Sequence, residues 1–131
     1  MSGHRTAIDV YYEDTDCGGV VYYANYLRYF ERARTRLLAD RGVDAARWMR
    51  EGALFTVYRA EVDYKGPALY GDRLIVETRV GEIKGSRLTF WYTVTRESDA
   101  LVTATGLTRM ACVGAAMKPR RIPDEILERL A

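Results

Sequence analysis

Asp16 stands two residues ahead of a glycine pair in the run Tyr12-Glu13-Asp14-Thr15-Asp16-Cys17-Gly18-Gly19-Val20-Val21-Tyr22-Tyr23. A carboxylate so placed can activate water as a general base or attack a carbonyl directly. Glycines beside it let the main chain approach a ligand closely. A strongly amphipathic segment starts at Asn25, and the beginning of a helix offers unpaired N–H groups and the positive end of its dipole. A carboxylate facing such donors suits attack on a carbonyl whose oxyanion the donors then hold.

Other residues compete for this chemistry. Asp14 and Glu13 are close enough that a second carboxylate facing the same site would raise the pKa of the first. An aspartate in a loop also commonly serves an Asx turn or a helix cap. A calcium loop fails on spacing, because its bidentate acid would fall on Asn25 and leave too few oxygens. Cys17 follows Asp16, but a thiolate nucleophile wants a base or a cationic partner, and the only histidine is His4. That single histidine also argues against a Ser-His-Asp triad and against a zinc site. Cys17 and Cys112 form no ligand-spaced pair, and Cys112, in a strand, reads as packing.

The elements that must position these residues have two periods. Ala7 to Tyr12 alternates as a strand. From about Asn25 to Arg41, residues Tyr26, Leu27, Phe30, Ala33, Leu37 and Leu38 recur at three- and four-residue spacings, predicting a helix with a wide apolar stripe. Asn25 suits the N-cap and Gly42 the left-handed C′ position, with Arg32, Arg36 and Asp40 facing solvent. Asp44 to Gly52 reads as a short helix or turn. The period then falls to two, giving strands through Leu54–Val62, Leu74–Val80, Leu88–Thr95 and Leu101–Val113, the last softened at Gly106, which reads as a bulge. Turn signals at Lys65-Gly66-Pro67, Tyr70-Gly71-Asp72, Lys84-Gly85-Ser86 and Glu97-Ser98-Asp99 separate them. Pro123 to Leu130 reads as a closing helix. Short turns force antiparallel neighbours, and a curved sheet wrapped on one long helix buries both apolar faces.

With 131 residues, the chain reads as one domain, 1–131, with a modest core. Twenty Lys and Arg are balanced by 18 acids and scattered, which excludes a dedicated nucleic-acid binder. No apolar run approaches the ~20 residues of a membrane span, and no signal core leads the chain, so a reduced, cytoplasmic setting is expected. Ten tyrosines point to an amphipathic pocket or subunit surface.

The segment from Tyr12 to Tyr22, followed by Ala24-Asn25-Tyr26-Leu27 and Glu31-Arg32-Ala33-Arg34, closely resembles the hotdog-fold acyl-CoA thioesterases. The nearest group is the YbgC-like, Tol-Pal-associated enzymes of the 4-hydroxybenzoyl-CoA thioesterase superfamily. The resemblance covers most of the chain, including the tail Lys118-Pro119-Arg120-Arg121-Ile122-Pro123. It implies an α+β hotdog fold, about five antiparallel strands around a central helix, and hydrolysis of acyl-CoA to free acid and coenzyme A without a metal or redox cofactor. It selects Asp16 over Asp14 as the catalytic carboxylate and leaves Asp14 to brace the turn. The Tyr23 backbone N–H becomes the oxyanion donor, although YbgC-like members usually carry His at that position and the benzoyl-type relatives an aromatic residue. Gly18, Gly19, Val20, Val21, Tyr26 and Tyr58 are expected near substrate, and Glu31 either lines the site or belongs to a solvated helix face. Lys118 and Arg120, with Lys65, Lys84, Arg87 and Arg121, are candidates for the phosphates of coenzyme A. A homo-oligomer with a continuous sheet, dimer or tetramer, is implied. The alternatives are an acyl carrier protein thioesterase and a non-catalytic module that binds acyl thioesters or scaffolds other proteins.

Overall fold

The computed structural model describes residues 3–131. Five strands, β1 (His4–Asp9), β2 (Leu54–Tyr64), β3 (Arg73–Lys84), β4 (Arg87–Arg96) and β5 (Val102–Val113), form one antiparallel sheet ordered β1-β3-β4-β5-β2. The long helix α1 (Asn25–Asp40) lies against it, followed by α2 (Ala45–Arg50), while α3 (Asp124–Leu130) closes the chain. This is the wrapped-helix arrangement expected from the two periods.

The core lies between α1 and the sheet. Leu74, Val76 and Thr78 of β3 and Leu88, Phe90, Tyr92 and Val94 of β4 are buried, whereas alternate residues turn outward. Tyr26, Tyr29, Phe30, Ala33 and Leu37 present the buried stripe of α1. Phe30 stacks flat on Tyr92, with centroids 4.2 Å apart, and the space for its ring comes from Gly106. A Cβ there would lie 2.5 Å from the Glu61 carbonyl and 2.7 Å from the Phe30 ring. Gly106 is therefore a site of close approach, not a bulge, and it pairs in register with both Val62 and Tyr92. The irregularities fall instead at Val57/Arg59, Val80/Ile83 and Val94/Thr95.

Three further expectations are corrected. The first strand occupies His4–Asp9 and ends before Tyr12, because Tyr12–Asp14 turn into a short 3-10 segment. Ala24, not Asn25, occupies the N-cap of α1; Asn25 is already helical and buried, its N–H donating to the Tyr22 carbonyl at 2.8 Å. Leu27 faces outward, so the stripe is narrower than its spacing implied. Gly42 does take the left-handed conformation, with φ +80°, that ends α1.

Candidate active site

The loop between β1 and α1 is held from beneath by Asp14. Its side chain is buried, and Oδ2 accepts the Tyr11 N–H at 2.9 Å and the Tyr29 hydroxyl at 3.0 Å. The Asp14 carbonyl accepts the Tyr22 N–H at 2.8 Å, tying the far side of the loop to the same residue. Burial, then the Asp14 carboxylate, pushes the Tyr29 phenol well above its ordinary range, so the hydroxyl stays a donor.

Asp16 is exposed above this brace. Its Oδ1 accepts the Gly18 N–H at 2.8 Å and lies 3.4 Å from the Val20 N–H. Main-chain bonds from Asp16 N–H to the Val20 carbonyl (2.9 Å) and from Gly19 N–H to the Asp16 carbonyl (3.0 Å) close the loop. Gly19 takes φ +81°, the conformation a glycine supplies at least cost. Oδ2 of Asp16 has no partner among the described residues. One oxygen orients the carboxylate and the other is free to act.

The loop is also pinned to the sheet. Val20 bridges Leu69, and the Val21 N–H donates to the Ala68 carbonyl at 2.8 Å. Asp72 accepts the Leu69 N–H at 2.8 Å, and Arg96 donates to the Pro67 carbonyl at 3.0 Å, so the anchoring segment is itself braced.

Between this loop and α1, the peptides around Tyr23 are clamped on both sides. The Tyr22 carbonyl accepts the Asn25 N–H, and the Tyr23 carbonyl accepts the Tyr64 hydroxyl at 2.8 Å from the end of β2. Among the described residues neither the Tyr23 nor the Ala24 N–H has an acceptor. Unpaired donors at a helix start, a few residues from a half-free carboxylate, can hold a developing oxyanion.

The structure thus gathers Asp16, Gly18, Gly19, Val20, Val21 and Tyr23 in one loop. Tyr26 follows on α1 but is buried, packed edge-on against Tyr29 and Tyr64. Tyr58 lies elsewhere, on the outer face of the sheet, where the Arg87 guanidinium sits 5.4 Å from its ring centroid. Tyr58, Lys84, Arg87, Trp91 and Arg109 line a basic groove there, with Glu82 as its acid. Lys118 and Arg120 are exposed beyond β5, where Arg120 donates to the Gly52 carbonyl at 3.1 Å. That is the Leu54 end of β2, and Tyr64 is at the other, roughly 33 Å away at strand spacing. Within one chain these cations and the Asp16 loop stand apart. Glu31 is exposed on α1.

Sequence reasoning expected the stretch around Tyr58 to Tyr64 to reach a site from a partner chain, but missed Arg109 and the bond from Tyr64 to Tyr23 within one chain. Tyr64 acts through a contact 41 residues away in sequence, for which local spacing carries no signal. Arg109 meets Lys84 and Arg87 only through the β4–β5 register.

A curved antiparallel sheet around one long helix, with a carboxylate loop at the helix start, defines an α+β hotdog protein. The chain belongs to the thioesterase-like superfamily, whose family model matches residues 10–130. It is 41% identical over 127 residues to a Haemophilus influenzae acyl-CoA thioesterase, YbgC, covering 95% of this chain and 92% of that protein. The Escherichia coli O157:H7 acyl-CoA thioester hydrolase YbgC is 34% identical over 123 residues, covering 94% of this chain and 92% of that one. Among solved structures, a hypothetical protein from Thermus thermophilus superposes with TM-score 0.90 at 33% identity, covering 99% of this chain and 97% of that one. A thioesterase from the same species, complexed with coenzyme A and Zn, superposes with TM-score 0.82 at 33% identity, covering 96% and 95%.

Proposed function

We propose that this chain hydrolyses acyl-CoA thioesters to a free acid and coenzyme A. The observation that carries this reading is the Asp16 carboxylate, oriented through Oδ1 and free at Oδ2, a few residues before the acceptor-free N–H groups of Tyr23 and Ala24. Its membership of a thioesterase family and its likeness to acyl-CoA thioesterases support it.

The thioester carbonyl oxygen would lie against the Tyr23 N–H, aided by the α1 dipole. Asp16 takes a proton from water as the water oxygen bonds to the acyl carbon. The tetrahedral intermediate then collapses, the carbon–sulfur bond breaks, and the departing coenzyme A thiolate takes the proton. If Asp16 attacks instead, a mixed anhydride forms with loss of the thiolate, and water opens it. Both routes use the same residues and need no metal.

A second copy of the chain belongs to this reading. Among the described residues the 11-residue strand β2 pairs only with β5, and its Val57 and Tyr58 are exposed. An open edge of that length favours pairing with another strand. Two β2 strands antiparallel about a two-fold axis would extend the sheet through both subunits. The outer groove of Lys84, Arg87 and Arg109 then offers fixed cations for the coenzyme A phosphates, with Lys118 and Arg120 as further candidates. The setting proposed is cytoplasmic; no helix among the described residues is long and apolar enough to cross a membrane.

A thiol-release assay across short aliphatic, long aliphatic and aromatic acyl-CoAs, with Asp16→Asn in parallel, tests the proposal. Turnover that collapses in the variant supports it. Absence of turnover on every acyl-CoA by folded protein refutes it and favours an acyl carrier protein substrate or a binding module.

A further inference from the structure

The sheet has a second edge, β1, whose strand partner among the described residues is β3 alone. The Val10 N–H donates to the Asp72 carbonyl at 2.9 Å, continuing the register of that pairing. Hydrogen-bonding direction alternates along an antiparallel strand, so His4, Thr6 and Ile8 also turn their main-chain groups to β3. The N–H and carbonyl groups of Arg5, Ala7 and Asp9 are left facing outward. Side chains alternate as well: Ile8 and Val10 are buried toward α1, so those of Arg5, Ala7 and Asp9 turn to the outer face of the sheet.

β1 and α1 run side by side in opposite directions. His4 Nε2 lies 2.7 Å from Asp40 Oδ2 at the end of the helix, and Asp14 joins Tyr11, just past β1, to Tyr29 near the start of the helix. The groove between them has Thr6, Ala7 and Ile8 on one wall and Arg28, Arg32 and Arg36 on the other. These exposed arginines recur every four residues, about 6 Å apart along a helix. Alternate residues of a strand stand at nearly the same interval, about 6.6 Å. An extended segment beside β1 would therefore set one side chain of its helix-facing row against each arginine. None of the three has a carboxylate within salt-bridge distance among the described residues. Arg32 is steadied over the Tyr29 ring, 5.9 Å from its centroid. Of the acids at the groove, Asp9 turns to the outer face, and Glu31 stands on the border with the neighbouring cavity beside Trp48.

We infer that this groove docks an acidic, extended segment of a partner protein, which adds to the sheet beside β1 and sets alternate carboxylates against Arg28, Arg32 and Arg36. The six residues of β1 match a segment of about six residues, roughly 20 Å long. A second copy of this chain fits poorly, because two β1 strands paired about a two-fold axis would bring two arginine stripes face to face. A flat anionic membrane reaches the arginines but cannot pair the outward N–H groups of Arg5, Ala7 and Asp9. The inference concerns a face apart from Asp16 and does not depend on acyl-CoA hydrolysis.

The probe is a fluorescein-labelled peptide alternating glutamate with valine, titrated by anisotropy against the full chain. Its controls are the same peptide with glutamine for glutamate, an acidic alanine-rich helical peptide, and vesicles of phosphatidylglycerol and phosphatidylcholine in equal parts. Saturable binding is expected, weaker by at least about tenfold for the glutamine peptide and for the Arg32→Glu, Arg36→Glu double variant. Ala7→Pro removes one outward N–H and leaves the β3 ladder intact, and it should weaken binding about fivefold or more. If that variant does not fold, two peptides N-methylated at alternate residues replace it. A strand addition uses one edge, so one methylation pattern should abolish binding and the other preserve it. No binding of the acidic peptide, equal binding of the helical one, indifference to both methylation patterns, or capture by the vesicles alone would overturn the inference. None of these arms reads turnover, so the thioesterase reading stands or falls separately.

Discussion

Two aspartates two residues apart do different work in this structure, and substitution should separate them by stability. Asp14→Ala removes the acceptor of the buried Tyr29 hydroxyl and of the Tyr11 N–H. Hydrogen bonds to a charged group contribute about 1.5–3 kcal/mol each, but these two share one oxygen, so a combined loss of about 3 kcal/mol is expected. For a chain of this size that lowers Tm by roughly 10 °C. Asp14→Asn keeps an acceptor oxygen of the same shape and should cost only about 1 kcal/mol, the difference between charged and neutral bonds. Asp16→Ala loses exposed contacts to Gly18 and Val20, whose N–H groups return to water. Its stability should change by less than about 1 kcal/mol while turnover falls at least ~10²-fold, the usual contribution of a positioned carboxylate. Thermal unfolding followed by circular dichroism, beside turnover on one acyl-CoA, reads both effects. A stable Asp14→Ala protein beside an unstable Asp16→Ala protein would refute the division of roles.

Three other outcomes follow from particular contacts. Gly106→Ala places a methyl against the Glu61 carbonyl and the Phe30 ring, and chemical denaturation should show a loss of about 1–3 kcal/mol from overpacking. Tyr64→Phe removes the hydroxyl that fixes the Tyr23 carbonyl at an exposed position; kcat should fall about tenfold, a part of what a whole oxyanion donor contributes, with KM and Tm nearly unchanged. Because burial and Asp14 raise the folded pKa of Tyr29 above its ordinary value of 10.0, the stability this contributes is complete below about pH 10 and is lost as pH rises toward the folded value. Denaturation midpoints measured from pH 9 upward should therefore decline less steeply in Tyr29→Phe than in wild type.

Much of the fold was legible because periodicity reports burial directly. The buried Leu88, Phe90, Tyr92 and Val94 of β4 stand at alternate positions, and Tyr26, Phe30, Ala33 and Leu37 mark α1. Boundaries were less legible, since side chains acting across the turn decide them. Asp14 bends Tyr12–Asp14 into a 3-10 turn that strand alternation does not foresee. Gly106 read as a bulge because a strand glycine has two causes, and only the Phe30 ring distinguishes close approach from irregularity. At the site, the ordered motif brought Asp16, the glycines and Tyr23 together because they are close in sequence. The bond from Tyr64 to Tyr23 and the place of Arg109 beside Lys84 and Arg87 come from tertiary packing and strand register, which local spacing does not encode.

The central claim is that Asp16 acts on a bound acyl-CoA. Its most direct test is a paired measurement on Asp16→Asn with one turned-over substrate, initial rate of thiol release beside equilibrium affinity by calorimetry. Turnover reduced at least ~10²-fold with affinity kept within a few-fold is the predicted result. Unchanged turnover would contradict the account, placing the chemistry at another group.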